Sequence, residues 1–181
     1  EISKNNDSPF TNSYAYHTNG YVISKELTLL RVLTEKDKLL NGINGAMSEI
    51  ARIDKFGFGD KELERAKGRL LNSHKVLFNE KDKMESRNLT RELVDHYLQN
   101  EPMPGISWEY EKMKTLFSNI KKEDVNNIFR LYFPGTSLVV QVTSPEGEGI
   151  VIPSETEVLN SVLNIASESL EPYTDNVPDR P

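Results

Sequence analysis

The chain has 181 residues, 36% of them apolar, with a formal net charge of −6 and no cysteine. That length and apolar share suit one domain with one core and two loose ends, and the lack of cysteine excludes disulfides and thiolate metal sites while leaving the redox compartment unknown. The acidic balance without a clustered Lys/Arg face excludes a nucleic-acid polyanion as partner, and no apolar run approaches the roughly 18 residues of a membrane helix.

In chain order, residues 1–12 (EISKNNDSPFTN) are polar, broken by Pro9, and read as a linker; the start at Glu1, with neither initiator methionine nor signal peptide, leads to the expectation of a longer parent. Residues 13–24 are rich in aromatic and β-branched types, with Tyr14, Tyr16 and Thr18 on one side of a period of two, and predict a strand. Asn19-Gly20 suits a tight hairpin turn or, equally, a bulge. Residues 27–33 predict a second strand with Leu27, Leu29 and Leu33 on one face and Leu30 and Val32 on the other, so covered on both sides or central in its sheet.

Thr34 is the expected cap of a helix whose first turn carries Glu35 and Asp37, whose apolar stripe is Leu39, Ile43, Met47 and Ile50, and which Gly57 stops. Gly42 and Gly45 inside it cost about 1 kcal/mol each relative to alanine, and close packing against a neighbouring strand or helix is the reading that explains them. Asp60 is the expected N-cap of a long helix, with Glu62 and Glu64 at its positive end and Leu63, Ala66, Leu70, Leu77 and Met84 at helical spacing, widened by Leu71 and Phe78. A kink is expected in the charged stretch 79–83. The pattern then resumes through Leu89, Leu93 and Tyr97 until Pro102, Pro104 and Gly105 end it.

Ser107 opens a short helix with Trp108, Met113, Leu116 and Phe117, and another from about Lys122 carries Val125, Ile128, Phe129 and Tyr132 before Pro134-Gly135. Residues 138–143 (LVVQVT) read as a buried strand. Ser154-Glu155-Thr156-Glu157 is a capping box before Val158, Leu159, Val162 and Leu163. Residues 167–181 are acidic, proline-rich and poor in apolar side chains, and read as a disordered tail or interdomain linker.

The phrase GFGDKELERAKGRLL, followed by NEKDKMES, RELVDHYLQNEPMPGISWEYE and IKKEDVNNIFRLYF, resembles the non-catalytic (inactive, C-terminal-type) domain of the insulinase-like, pitrilysin-type zinc metallopeptidases. Their order and spacing across roughly residues 13–145 carry the resemblance. It implies an α+β domain spanning residues 13–166, a small, mainly antiparallel sheet with helices packed on one face, in keeping with the strand, strand, helices, strand order. It also implies a parent zinc metallopeptidase in which paired units close around an extended polypeptide. An extracytoplasmic, periplasmic parent is the expected location. The partners implied are the parent's catalytic domain and a polypeptide substrate, with no nucleic acid and no membrane.

The catalytic unit of that family carries His-x-x-Glu-His, two imidazoles on one helix face with a general base between them, and no such run exists here. His17, His74 and His96 are isolated in sequence; His17 lies on a predicted strand and His74 and His96 read as hydrogen-bonded surface or helix-boundary residues, although a zinc site joining all three is compatible with sequence alone. Glu62, Glu64, Glu80 and Glu85 could suggest a carboxylate pair, but the interleaved lysines and arginines make a solvated helix face the better reading. Trp108 with Tyr110 fits either an aromatic ligand shelf or a packed anchor for the loop before it. Asn88-Leu89-Thr90 has the form of a glycosylation acceptor inside a predicted helix. The resemblance further carries an arginine-tyrosine pair in a phrase like Arg-Glu-x-x-Gly-x-Tyr near the first strand. The chain has SPFTNSYAY there, with no arginine before Arg31.

No catalytic or metal residue and no resident cofactor is therefore assigned to this chain, and zinc is expected in the parent's catalytic domain. The expected function is a non-catalytic, structural and substrate-enclosing domain, silent by itself. The alternative is a free-standing acidic module that binds a peptide or protein through Trp108 and Tyr110.

Overall fold

The computed structural model describes residues 8–22, 25–133, 135, 137–147, 149–164 and 170–174. Two strands, β1 (Asn12–Val22) and β2 (Lys25–Leu33), precede six helices: α1 (Leu39–Phe56), α2 (Asp60–Asn79), α3 (Ser86–Gln99), α4 (Ile106–Phe117), α5 (Lys122–Tyr132) and α6 (Glu155–Leu163). The fold is α+β, as expected. The chain divides into two units, Glu1–Gly57 with Asn126–Thr174, and a second that holds Phe58–Val125. One continuous core was the expectation from composition. Among the described residues the buried apolar side chains are Phe10 and Ala46, both in the first unit.

In the first unit β1 and β2 form an antiparallel pair with Tyr14 opposite Arg31, Tyr16 opposite Leu29 and His17 opposite Thr28. Asn19-Gly20 is not the turn, because β1 continues to Val22 and Val22 pairs with Lys25; the register instead shifts between Thr18 and Val22, the bulge-like alternative. α1 packs against β2 and against α6. Its start differs from expectation. Thr34 does not cap it: residues 36–37 form a turn in which the Lys38 amide donates to the Glu35 carbonyl at 3.1 Å and the Lys38 ammonium pairs with Glu35 at 3.0 Å. The helix begins one turn later, at Leu39. Its end is as expected. Gly57 takes φ +74°, a left-handed value that favours glycine, and its amide donates to the Ile53 carbonyl at 2.7 Å.

The segment read as a linker is packed where it is described. Phe10 is 6% exposed, and the Thr11 amide donates to the Leu33 carbonyl at 2.7 Å. This segment lies against one of the α1 glycines, since a Cβ on Gly45 would stand 2.5 Å from Pro9 Cγ, whereas one on Gly42 would stand 2.1 Å from Cγ2 of Thr34, just past β2. Close packing is thus the role of both, against irregular segments at Pro9 and Thr34 rather than a strand or helix. Gly45→Ala and Gly42→Ala are each expected to destabilise this unit by about 1–3 kcal/mol, the usual cost of overpacking, read as a lower thermal midpoint. An unchanged midpoint in both variants would show that the glycines are not packed in this way.

Near the other end, residues 170–174 are also held, since Arg52 Nε donates to the Glu171 carbonyl at 2.9 Å. The remaining residues of the expected tail, 167–169 and 175–181, lie outside the described residues. The capping box is present: Glu157 N–H donates to Ser154 Oγ at 3.3 Å while the Glu157 carboxylate accepts from the Ser154 amide at 2.8 Å. The Ser154 hydroxyl also donates to that carboxylate, and these two bonds hold the Glu157 carboxyl below its usual pKa. A depressed carboxylate stabilises the folded state above its unfolded pKa, so this part of the α6 start weakens as pH falls through the folded value.

Residues 138–143 are not a buried strand. Val139 is 87% exposed, and the described sheet contains only β1 and β2, so the run is extended without a ladder.

In the second unit α2 begins at Asp60, so its cap lies one residue before the expected one. Gly59 is the N-cap and its amide donates to the Glu62 carboxylate at 2.8 Å, while Asp60 is freed to meet Lys122 at 3.0 Å, which raises the Lys122 pKa through that hydrogen bond and charge. Leu70 and Leu77, expected on the covered face, are exposed, whereas Leu63, Leu71 and Phe78 are half-buried. The covered stripe is turned toward α4, which packs on α2 with Tyr110 stacked on Phe78 at 5.2 Å. A turn of 3-10 helix at Lys81–Lys83 breaks the run where the kink was expected, and Asn100, at φ +57°, ends α3 ahead of the prolines.

Candidate functional site

Alternation along paired strands sorts the hairpin's side chains onto two faces. On the inner face Thr28, Leu30 and Val32 of β2 are half-buried. There His17 stacks on Tyr132 of α5 with centroids 3.9 Å apart, its Nδ1 lies 3.0 Å from Thr28 Oγ1 and its Nε2 lies 3.6 Å from Glu26.

The outer face carries Tyr14, Tyr16 and Thr18 from β1 and Leu27, Leu29, Arg31 and Leu33 from β2. The sequence led to the expectation that the leucines would be covered. Leu27 is 42% and Leu33 41% exposed, beside Tyr14 at 42% and Tyr16 at 39%. The two tyrosine rings lie nearly parallel with centroids 6.2 Å apart, and the Arg31 guanidinium stands 6.0 Å from the Tyr14 ring. Large aromatic side chains, leucines and an arginine on one exposed face have the composition of a protein-binding surface. Sequence reading missed the grouping because Arg31 and Tyr14 are 17 positions apart, and only the strand register brings them together. The signal that could have found it was the shared alternation of the two strands.

The other candidates separate. His74 Nδ1 is 3.0 Å from the Leu70 carbonyl and His96 Nδ1 is 2.6 Å from the Glu101 carbonyl, so in each the proton sits on Nδ1 for a local backbone bond. Among the described residues no three His, Asp or Glu side chains are grouped to hold a metal ion. The residues described do not fit a zinc site. Glu62 caps α2, Glu64 pairs with Lys67 at 2.9 Å and Glu85 with Arg87 at 3.5 Å. Tyr110 is a packed anchor on Phe78, whereas Trp108, two positions away and so on another side of α4, is exposed under Lys112. The two do not make one shelf. Asn88 lies within α3 and its amide donates to the Glu85 carbonyl. A shallow polar cleft of ≈ 470 Å³ beside Ser8, Lys38, Asn41, Asn44 and Ser48 holds one cation and two amides, without an acid-base pair.

No family model matches the chain. Over 132 residues it is 24% identical to a zinc protease PQQL-like protein of Arabidopsis thaliana, a match that takes in 72% of this chain and 14% of that protein. The fold is similar to the crystal structure of the first half of the periplasmic protease PqqL from Escherichia coli, with a TM-score of 0.73, 18% identity and coverage of 96% of this chain and 37% of that one. It is similar also to the crystal structure of the PqqL protease itself, with a TM-score of 0.75 and 18% identity, over 99% of this chain and 20% of that chain. The chain thus spans a minor part of the length of each. The likeness to an insulinase-like zinc protease domain read from the sequence phrases is borne out, together with the α+β class.

Proposed function

We propose that this chain, a domain of insulinase-like zinc protease kind, is a non-catalytic part of a larger zinc-dependent metalloprotease and that its outer hairpin face forms part of the wall around an extended polypeptide substrate. The observation that carries this is the open face itself: Tyr14, Tyr16, Leu27, Arg31 and Leu33 stand exposed side by side while the helices pack on the other side of the strands. A polypeptide of varied sequence is held well by such a surface, because aromatic rings give large contact area at low entropic cost and an arginine donates to backbone carbonyls or acidic side chains. Among the described residues no three His, Asp or Glu side chains are grouped to hold a metal ion, and the sequence has no His-x-x-Glu-His. In this reading zinc belongs to the parent's catalytic domain, where bound metal supplies an activated water. The present chain binds and orients polypeptide and keeps bulk water out. The parent is extracytoplasmic, a reading that the periplasmic PqqL protease supports, and no helix among the described residues is long and apolar enough to cross a membrane.

Two readouts on the purified 181-residue chain test its non-catalytic part. Incubated with zinc and then dialysed, the chain is expected to retain well under one zinc per molecule and to leave a fluorogenic polypeptide intact. One tightly held zinc per chain, or hydrolysis that rises with added zinc, would overturn the assignment.

A further inference from the structure

Residues 138–143 (LVVQVT) have the composition of a strand, three valines and a threonine in six positions, and strands of that kind are stable only when their backbone is paired. Among the described residues no backbone-backbone hydrogen bond involves 138–143, and the described sheet is the two-stranded β1-β2 pair. The run already alternates: Val140 and Val142 are the less exposed positions, while Val139 and Gln141 face outward. Val151 and Ile152, further along the chain, are exposed as well and make no ladder with it. An extended apolar segment with no ladder among the described residues is a template for strand addition, and left open it is an aggregation hazard.

We propose that residues 138–143 form a docking strand, paired in a β-ladder with a strand supplied by the remainder of the longer protein. The occupant is chosen from chain length: the match takes in 14% of the Arabidopsis relative and 20% of the PqqL chain, so a relative of this size carries several times more polypeptide than the described residues, folded in the same molecule and at high effective concentration. A linked strand outcompetes a free peptide or a second copy for the same edge. Its outward positions are apolar, to meet Val139, and its backbone supplies the bonds that 138–143 lacks.

The inference rests on the reading of the chain as part of a longer protease, but its test reads strand pairing and not catalysis, so the two can fail separately. Amide hydrogen exchange is followed at 139–143 in the longer protein, at two protein concentrations and with and without a polypeptide substrate. The expected result is exchange slowed by about 100-fold or more relative to an unstructured peptide, independent of concentration and of substrate. Exchange at the unstructured rate would overturn the proposal. Protection that grows with protein concentration would assign the edge to a second copy, and protection only with substrate would assign it to the substrate strand; either result also overturns it.

Discussion

Under the proposed function, deleting this domain from a longer protease that carries it is expected to lower turnover of polypeptides by roughly 100-fold or more while leaving the catalytic domain folded. The reasoning is geometric. A scissile bond reacts only when the chain on either side is held within a fraction of an ångström of the productive position, and losing that positioning costs on the order of 100-fold. A wall that closes over substrate also removes bulk water, which strengthens every polar interaction inside the chamber. The comparison to make is kcat/KM of the intact and deleted proteins on one polypeptide, with zinc content measured in both. Full activity in the deleted protein, at equal zinc, would remove the enclosing role.

The second large effect is smaller in scale and more local. Alanine at Tyr14, Tyr16 or Arg31 in the longer protein is expected to raise KM for polypeptide substrates about 5- to 30-fold each, the equivalent of about 1–2 kcal/mol lost from an aromatic or arginine contact. The three lie on one face within contact range, with Tyr14 between Tyr16 and Arg31, so their effects should not add. Under the proposed function these side chains hold parts of the substrate that do not react, so kcat should change little. Substitution of Trp108, exposed in the other unit, serves as the contrast and should leave KM unchanged. A fall in kcat at unchanged KM would instead place the tyrosines and Arg31 in the chemistry.

What could be read from the sequence was local. Gly57 as a stop, the Ser154-Glu157 capping box, the break at Lys81–Lys83 and the end of α3 before Pro102 each depend on a few adjacent residues, and each is present in the fold. Where two local signals competed, the boundary slipped: Thr34 was a plausible cap, but the pairing of Lys38 with Glu35 used residues 35–38 for a turn and delayed α1 to Leu39. The larger differences come from contacts between distant parts of the chain. Phe10, in a polar stretch beside a proline, gives no sign that it will be the most buried of the large side chains, because its burial depends on Gly45 arriving 35 positions later. Residues 138–143 have every local mark of a buried strand and lack only the neighbour. The open hairpin face was hidden for the same reason. Alternation predicts two faces, but not which of them is covered.

The central claim, that the outer hairpin face meets the substrate, is tested most directly by photocrosslinking in the longer protease. Tyr14 is replaced by a photoreactive benzoylphenylalanine, catalysis is blocked by removing zinc, and a labelled polypeptide substrate is irradiated in place. The expected result is a covalent adduct between position 14 and the substrate that excess unlabelled substrate suppresses. A substrate that binds with undiminished affinity, yet never crosslinks from position 14 or from the same probe at Leu27, would contradict it.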